Sequence, residues 1–165
     1  MKSSEITKSK VLQEAITLFN TKGYRATSLS DITNATGLTK GAIYRHFENK
    51  EQLEIEAFQN MMHSIFNTLQ KKIKAENNTR DKLFCILELF QDYINNPFFS
   101  GGCPLLNVST EVYDSLMFFF VFLLQALTVF RNSIETIVIN GKTHKEVNAI
   151  VNEKLVAIVM ISSLE

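Results

Sequence analysis

TSLSDITNATGLTKGAIYRHFENK, residues 27–50, places two short helical patterns on either side of Thr36-Gly37-Leu38. Leu29, Ile32 and Ala35 recur at the spacing of one inward face, and Thr27 or Ser28 precedes them as an N-cap. Gly37 supplies the turn. Thr39 is positioned to cap a second helix running to about Phe47, with Leu38, Ile43 and Phe47 inward. Its other side is slim at Gly41 and Ala42 and rich in donors at Thr39, Lys40, Tyr44, Arg45 and His46. An apolar inner face, a slim outer face and hydrogen-bond donors are what a helix needs to enter a DNA major groove. The stretch therefore reads as a helix-turn-helix.

The flanking sequence extends the pattern. Val11, Leu12, Ala15, Ile16 and Phe19 form one helical stripe that Gly23 ends. Asn49, with Gln52 three residues on, opens a long helix whose face is Leu53, Ala57, Met61, Ile65 and Leu69. Thr79 is expected to cap a fifth helix with Leu83, Ile86, Leu87, Phe90 and Ile94 on its stripe, ending at Asn95-Asn96-Pro97. FFSGGCP, residues 98–104, reads as a loop before a short helix around 105–112. An apolar helix is expected from Asp114 to Ile139, closed by Asn140-Gly141. A last one should start near Thr143, apolar at Val147, Ile150, Val151, Leu155, Ile158 and Val159. The fold class is all-α, with a three-helix head over 1–50 continuous with a larger helical body over 51–165.

The 165 residues carry no formal net charge, yet the charge is unevenly spread. Residues 1–50 hold eight Lys/Arg against four Asp/Glu, and the remainder nine against thirteen. A basic head on an acidic body suits a polyanion-binding end joined to a part with another task. Cys85 and Cys103 make neither a disulfide framework nor a metal site, and no His/carboxylate cluster points to a metal or cofactor. His46, His63 and His144 are isolated in sequence, which disfavours an enzyme. The N-terminus MKSSEITKSK has no apolar signal core, so a cytoplasmic location is expected. The run LMFFFVFLL at 116–124 is interrupted by Gln125 and falls short of the roughly 20 residues of a membrane span.

Thr27-Ser28-Leu29-x-x-Ile32-x-x-x-x-Gly37-Leu38-Thr39-Lys40-Gly41-x-Ile43-Tyr44-x-His46-Phe47-x-x-Lys50-Glu51-x-Leu53 closely resembles the DNA-binding signature of the tetracycline-repressor (TetR) family of bacterial regulators. Ala15-x-x-Leu18-Phe19-x-x-x-Gly23-Tyr24 matches that family's first helix and its stop. The match covers about residues 10–54; beyond it the likeness is in helix count and order. The resemblance implies that Thr27 and Ser28 hold backbone phosphate, Thr39, Lys40 and Gly41 face bases, Tyr44 contacts phosphate or a thymine methyl, and His46 and Lys50 hold phosphates. Thr33 departs from the Ala common in the family. Plainer roles exist for several of these residues: Tyr44 packing on the first helix, His46 capping the third, Lys50 in solvent.

The family pattern also implies a homodimer through the last two helices, which look apolar on more than one face. Such a dimer would read a near-palindromic double-stranded operator with half-sites about 34–36 Å apart. It implies an inducer cavity too, for which Phe66, Phe90, Phe98, Phe99, Cys103, Leu106 and Phe119 are candidates facing a small apolar or aromatic ligand; all could equally be plain core. Family members continue beyond a Ser-Leu-Glu like 163–165, so the C-terminus reads as short of the family pattern. The expected function is a ligand-responsive repressor released from its operator by an inducer. The alternatives are a helical small-molecule enzyme, or a partner-binding protein with an incidental helix-turn-helix.

Overall fold

The computed structural model describes residues 3–112 and 119–164, and every regular element among them is an α-helix. These are α1 (Ser3–Lys22), α2 (Leu29–Thr36), α3 (Lys40–Tyr44), α4 (Lys50–Ala75), α5 (Thr79–Asn95), α6 (Pro104–Val112), α7 (Phe119–Thr143) and α8 (Glu153–Leu164). The expected helix start at Asp114 and positions 116–118 of the apolar run lie outside the described residues, as does the side chain of Ile94. The chain forms two compact units, Met1–His63 with Phe98–Leu123, and Ser64–Pro97 with Leu124–Glu165. The division falls inside α4, thirteen residues beyond its start at Lys50.

The first unit has an aromatic centre. Tyr24 stacks on Phe19 at 5.0 Å, Phe119 meets the Tyr24 ring edge-on at 4.9 Å, and Phe58 meets Phe119 at 5.7 Å. Val11, Ala15, Leu53, Ala57 and Met61 close around these rings without exposure. Burying each large side chain is worth about 1.5–3 kcal/mol before conformational entropy is subtracted. The α1 and α4 stripes were therefore legible from their helical periodicity alone.

The second unit is centred on Leu69, Ile86, Leu89, Phe130, Ile134, Ile137 and Ala157. Phe90 stacks on Phe130 at 5.6 Å, and Phe66 lies tilted against the same ring. Leu87, expected inward, is exposed and Leu89 takes its place. One residue turns a helix by about 100°, so Leu87 leaves the face that Ile86 centres, whereas i+3 stays on it.

The remaining differences lie at helix ends. Asn78, and not Thr79, caps α5 by accepting from the Asp81 N–H at 2.9 Å; Thr79 is the first helical residue. Gly141 does not close α7, which continues to Thr143. A Cβ at Gly141 would press on Thr79 and Val147, so this glycine serves close packing. The stop comes at Lys145, in the left-handed region at φ 61°, with the Glu146 and Val147 N–H groups donating to the Gly141 carbonyl. The final helix consequently starts at Glu153, ten residues later than expected, with the Asn152 side chain accepting at its first turn. Ile150, Leu155, Ile158 and Val159, the apolar positions expected of the last helix, are all more than half exposed, and the buried residue of α8 is Ala157.

By length and composition α7 could cross a membrane, a property that core helices share. Within the second unit its inner face is Phe130, Ile134 and Ile137, and Arg131 pairs with Glu135 on its flank.

Candidate nucleic-acid interface

The α2–turn–α3 geometry is built locally. Ser28 caps α2, its hydroxyl oxygen accepting from the Asp31 N–H at 3.1 Å while the Asp31 carboxylate accepts from the Ser28 N–H at 2.7 Å. Lys22 reaches the other Asp31 oxygen at 2.8 Å. That bond above all, then those from Ser28, hold the Asp31 carboxyl well below the usual carboxylate range. At the far end, Lys10 Nζ donates to the Thr36 carbonyl at 2.8 Å, a cation at the negative end of the helix. Gly37 then takes φ 68°, where a side chain would be strained, and its N–H returns to the Thr33 carbonyl.

One inward assignment in α2 changes, and one buried residue is added. Ala35 is exposed and Thr36 is buried. Thr36 tolerates burial because its hydroxyl donates to the Ile32 carbonyl at 2.7 Å.

Thr39 caps α3, accepting from the Ala42 N–H at 3.2 Å. The helix ends at Tyr44, earlier than the expected Phe47, and Arg45-His46 form a turn. Ile43 and Phe47 nevertheless anchor it, both essentially buried, and Lys8 Nζ sits 5.2 Å from the Phe47 ring centre. On the opposite side Thr39, Lys40, Gly41, Tyr44 and Arg45 are all exposed, Tyr44 by 47%, and His46 is half-buried. The structure thus gathers five of the eight anticipated residues, Thr39, Lys40, Gly41, Tyr44 and His46, on α3 and the turn that follows. Arg45 joins them as an exposed cation with no ion pair within 4 Å among the described residues.

The other three anticipated residues are engaged within the protein. Thr27 is fully buried and its hydroxyl donates to the Gly23 carbonyl at 2.7 Å. Ser28 is exposed but occupied in its capping box. Lys50 Nζ donates to the Tyr24 carbonyl at 2.7 Å and pairs with Glu54 at 2.9 Å. Burial pushes the Glu54 carboxyl up, against the opposing pull of Lys50.

Positioning groups that sequence reading missed tie the end of α1 to distant chain. Glu111 of α6 accepts from the Tyr24 and Arg25 N–H groups. Buried Asn20 donates to the Ser100 and Gly102 carbonyls at 2.8 and 2.9 Å, and Asn107 donates to the Asn20 side-chain oxygen at 2.9 Å. No local pattern signals pairs separated by 80 residues or more.

The proposed ligand residues are dispersed. Phe98 and Phe99 line a cavity of about 460 Å³ beside α1 in the first unit, where Phe119 is plain core. Leu106 is exposed and Cys103 half-buried. In the second unit Phe66 borders a groove of about 690 Å³, while Phe90 packs in the core. Among the described residues no group of three or more His, Cys, Asp or Glu could hold a metal ion.

Residues 11–57 match the profile of bacterial regulatory proteins of the tetR family, and 79–165 that of the tetracyclin repressor-like C-terminal domain. The chain is similar to a TetR transcriptional regulator from Chloroflexus aurantiacus, at 33% identity with a TM-score of 0.94, covering 99% of this chain and 83% of that one. A TetR-family regulator from Cytophaga hutchinsonii gives 31% and 0.90, covering 99% and 82%. The biofilm operon icaADBC HTH-type negative transcriptional regulator IcaR of Staphylococcus epidermidis is 32% identical over 83 residues, half of this chain and 44% of that protein. The HTH-type transcriptional repressor KstR2 of Mycolicibacterium smegmatis is 30% identical over 76 residues, 46% of this chain and 37% of that protein. The chain thus spans less than half the length of these two curated relatives. Two profiles in tandem, one of them over more than half of the chain, and the α2–turn–α3 geometry agree: the chain belongs to the tetracycline-repressor (TetR) family of bacterial transcriptional regulators.

Proposed function

We propose that this protein is a ligand-responsive transcriptional repressor that binds a palindromic operator as a homodimer and leaves it when a small molecule binds. The observation that carries the reading is the outer face of α3, where Thr39, Lys40, Gly41 and Tyr44 are exposed while Ile43 and Phe47 anchor the helix. Segment 1–50 serves as the DNA-reading part and 51–165 as the ligand-binding and dimerising part. Thr39, Lys40 and Gly41 face base edges; Tyr44, Arg45 and His46 hold the backbone. Ser28 presents the N-terminus of α2 to a phosphate. Thr27 and Lys50 support these contacts by fixing the chain around Tyr24.

Leu155, Ile158 and Val159 of α8, 59%, 55% and 58% exposed, form an unpartnered apolar stripe that fits a second copy. Relatives named as a negative regulator and a repressor favour repression over activation. They are regulators and not enzymes, so catalysis has no part in this reading, and a cytoplasmic site of action follows from it. Selection of bound sequences from random DNA, with sedimentation of the complex, tests it. Two-fold symmetric half-sites bound by a dimer are expected; recovery of no enriched sequence would overturn it.

A further inference from the structure

The groove of about 690 Å³ in the second unit has a definite chemistry. Leu69 and Ile137 form a buried apolar floor, with half-buried Phe66 and Ile73 beside them. Lys74 and Lys82 stand at its rim, and neither makes an ion pair within 4 Å among the described residues. One carboxylate, Glu146, lines the groove, and it already accepts from the Thr79 N–H at 2.6 Å. His144 adds a third nitrogen base. Its Nδ1 lies 2.8 Å from the Asn140 carbonyl, which can only accept, so Nδ1 carries the hydrogen.

The volume falls within the range of small-molecule sites, and the lining joins an apolar floor to a more extensive polar rim. The two lysines outnumber the one carboxylate of the groove, Glu146, which lies within electrostatic reach of Lys82, so a cationic ligand would meet an excess of like charge and an anion would balance it. We infer that this groove binds an organic anion with an apolar or aromatic body, its acid group held by Lys74 and Lys82 and its body on Phe66, Leu69, Ile73 and Ile137. The inference rests on the reading of the chain as a ligand-responsive regulator and names the chemical class of the ligand. It places one of the seven anticipated aromatic and apolar residues, Phe66, in the site, and adds a charge requirement to the apolar ligand expected from sequence.

Calorimetric titration of the full chain with naphthalene-2-carboxylate and with naphthalene-2-carboxamide tests this, because the two probes share a body and differ in charge. The carboxylate should bind with one site per chain and about tenfold more tightly than the amide, the factor of one charged hydrogen bond. The double variant Lys74→Met/Lys82→Met should lower carboxylate affinity to that of the amide and leave the amide unchanged. Ser133→Phe, which fills the groove from α7, should abolish both, with thermal melting confirming that the variants remain folded. Equal affinity for the two probes, carboxylate binding indifferent to the lysines, or no saturable binding overturns the inference. Operator binding is measured on the same preparations. Its failure with carboxylate binding intact removes the regulator reading alone, and the converse removes the groove assignment alone.

Discussion

Glu111 of α6 accepts from the backbone N–H of Tyr24 at 3.0 Å, and through its second oxygen from that of Arg25 at 2.8 Å. One carboxylate thereby satisfies two N–H donors of the turn that follows α1, 86 and 87 residues away in sequence. Glu111→Ala should lower stability by about 1–2 kcal/mol, as expected for lost hydrogen bonds to a charged acceptor. Urea denaturation followed by circular dichroism measures it. An unchanged midpoint would show that water replaces the carboxylate without cost.

Gly101 and Gly102 both have positive φ, 100° and 90°, yet only one has a steric reason to be glycine. A Cβ on Gly101 would collide with the Asn20 backbone carbonyl, whereas one on Gly102 meets nothing within 4 Å. Gly102→Ala should therefore cost only the backbone strain of about 1 kcal/mol. Gly101→Ala should cost clearly more, with the Asn20 and Asn107 hydrogen bonds disrupted as well. Equal melting temperatures for the two variants would contradict the close approach.

Lys50 holds a buried carboxylate. Removing its ammonium in Lys50→Met leaves Glu54 charged and unpaired, a loss of about 3–5 kcal/mol at neutral pH. The direction with pH follows from burial. Glu54 titrates above its ordinary value in the fold, so protonation favours the native state, and that stability is lost as pH rises through the raised value. The gap between variant and wild type should narrow as pH falls from 7.5 toward the ordinary value of 4.5. A gap independent of pH would mean that Glu54 is not the group left unpaired.

Asp31 has the opposite sign. Lys22 and then Ser28 depress its carboxyl, so it contributes stability above the ordinary value of 3.8 that is lost as pH falls below it toward the depressed one. Asp31→Asn should flatten that acid limb. Ser28→Ala should lower stability by about 1 kcal/mol through the lost cap. Acid titrations followed by helical signal check both.

What was legible in the sequence was local. Gly37 and Thr39 act through a dihedral angle or a hydrogen bond within four residues, and α4 keeps helical period from Leu53 to Leu69, so pattern alone located them, while it narrowed the α2 cap to Thr27 or Ser28. What failed needed long-range packing. Gly141 looks like a helix stop until Thr79 is seen against it, and nothing near Lys145 marks it as the left-handed residue that ends α7. Lys50 looks like a free cation because its partners are the Tyr24 carbonyl, 26 residues back, and a glutamate one turn on that is buried only in the fold. Phe119 shows the ambiguity of aromatic residues: the same side chain suits a ligand wall or a core, and here it packs on Tyr24 and Phe58.

The most direct test of DNA reading by α3 is the salt dependence of operator affinity for wild type, Lys40→Ala, Arg45→Ala and Tyr44→Ala, using DNA selected from random sequence. Log affinity should fall linearly with log salt, and each lost cation–phosphate contact should reduce the slope by about 0.9. Arg45→Ala should show that reduction. Lys40→Ala, as a base contact, should also relax sequence preference, and Tyr44→Ala should weaken binding with little change in slope. All three should keep the wild-type melting temperature, since their side chains point away from the core. Affinity and slope unchanged in all three variants would contradict the account.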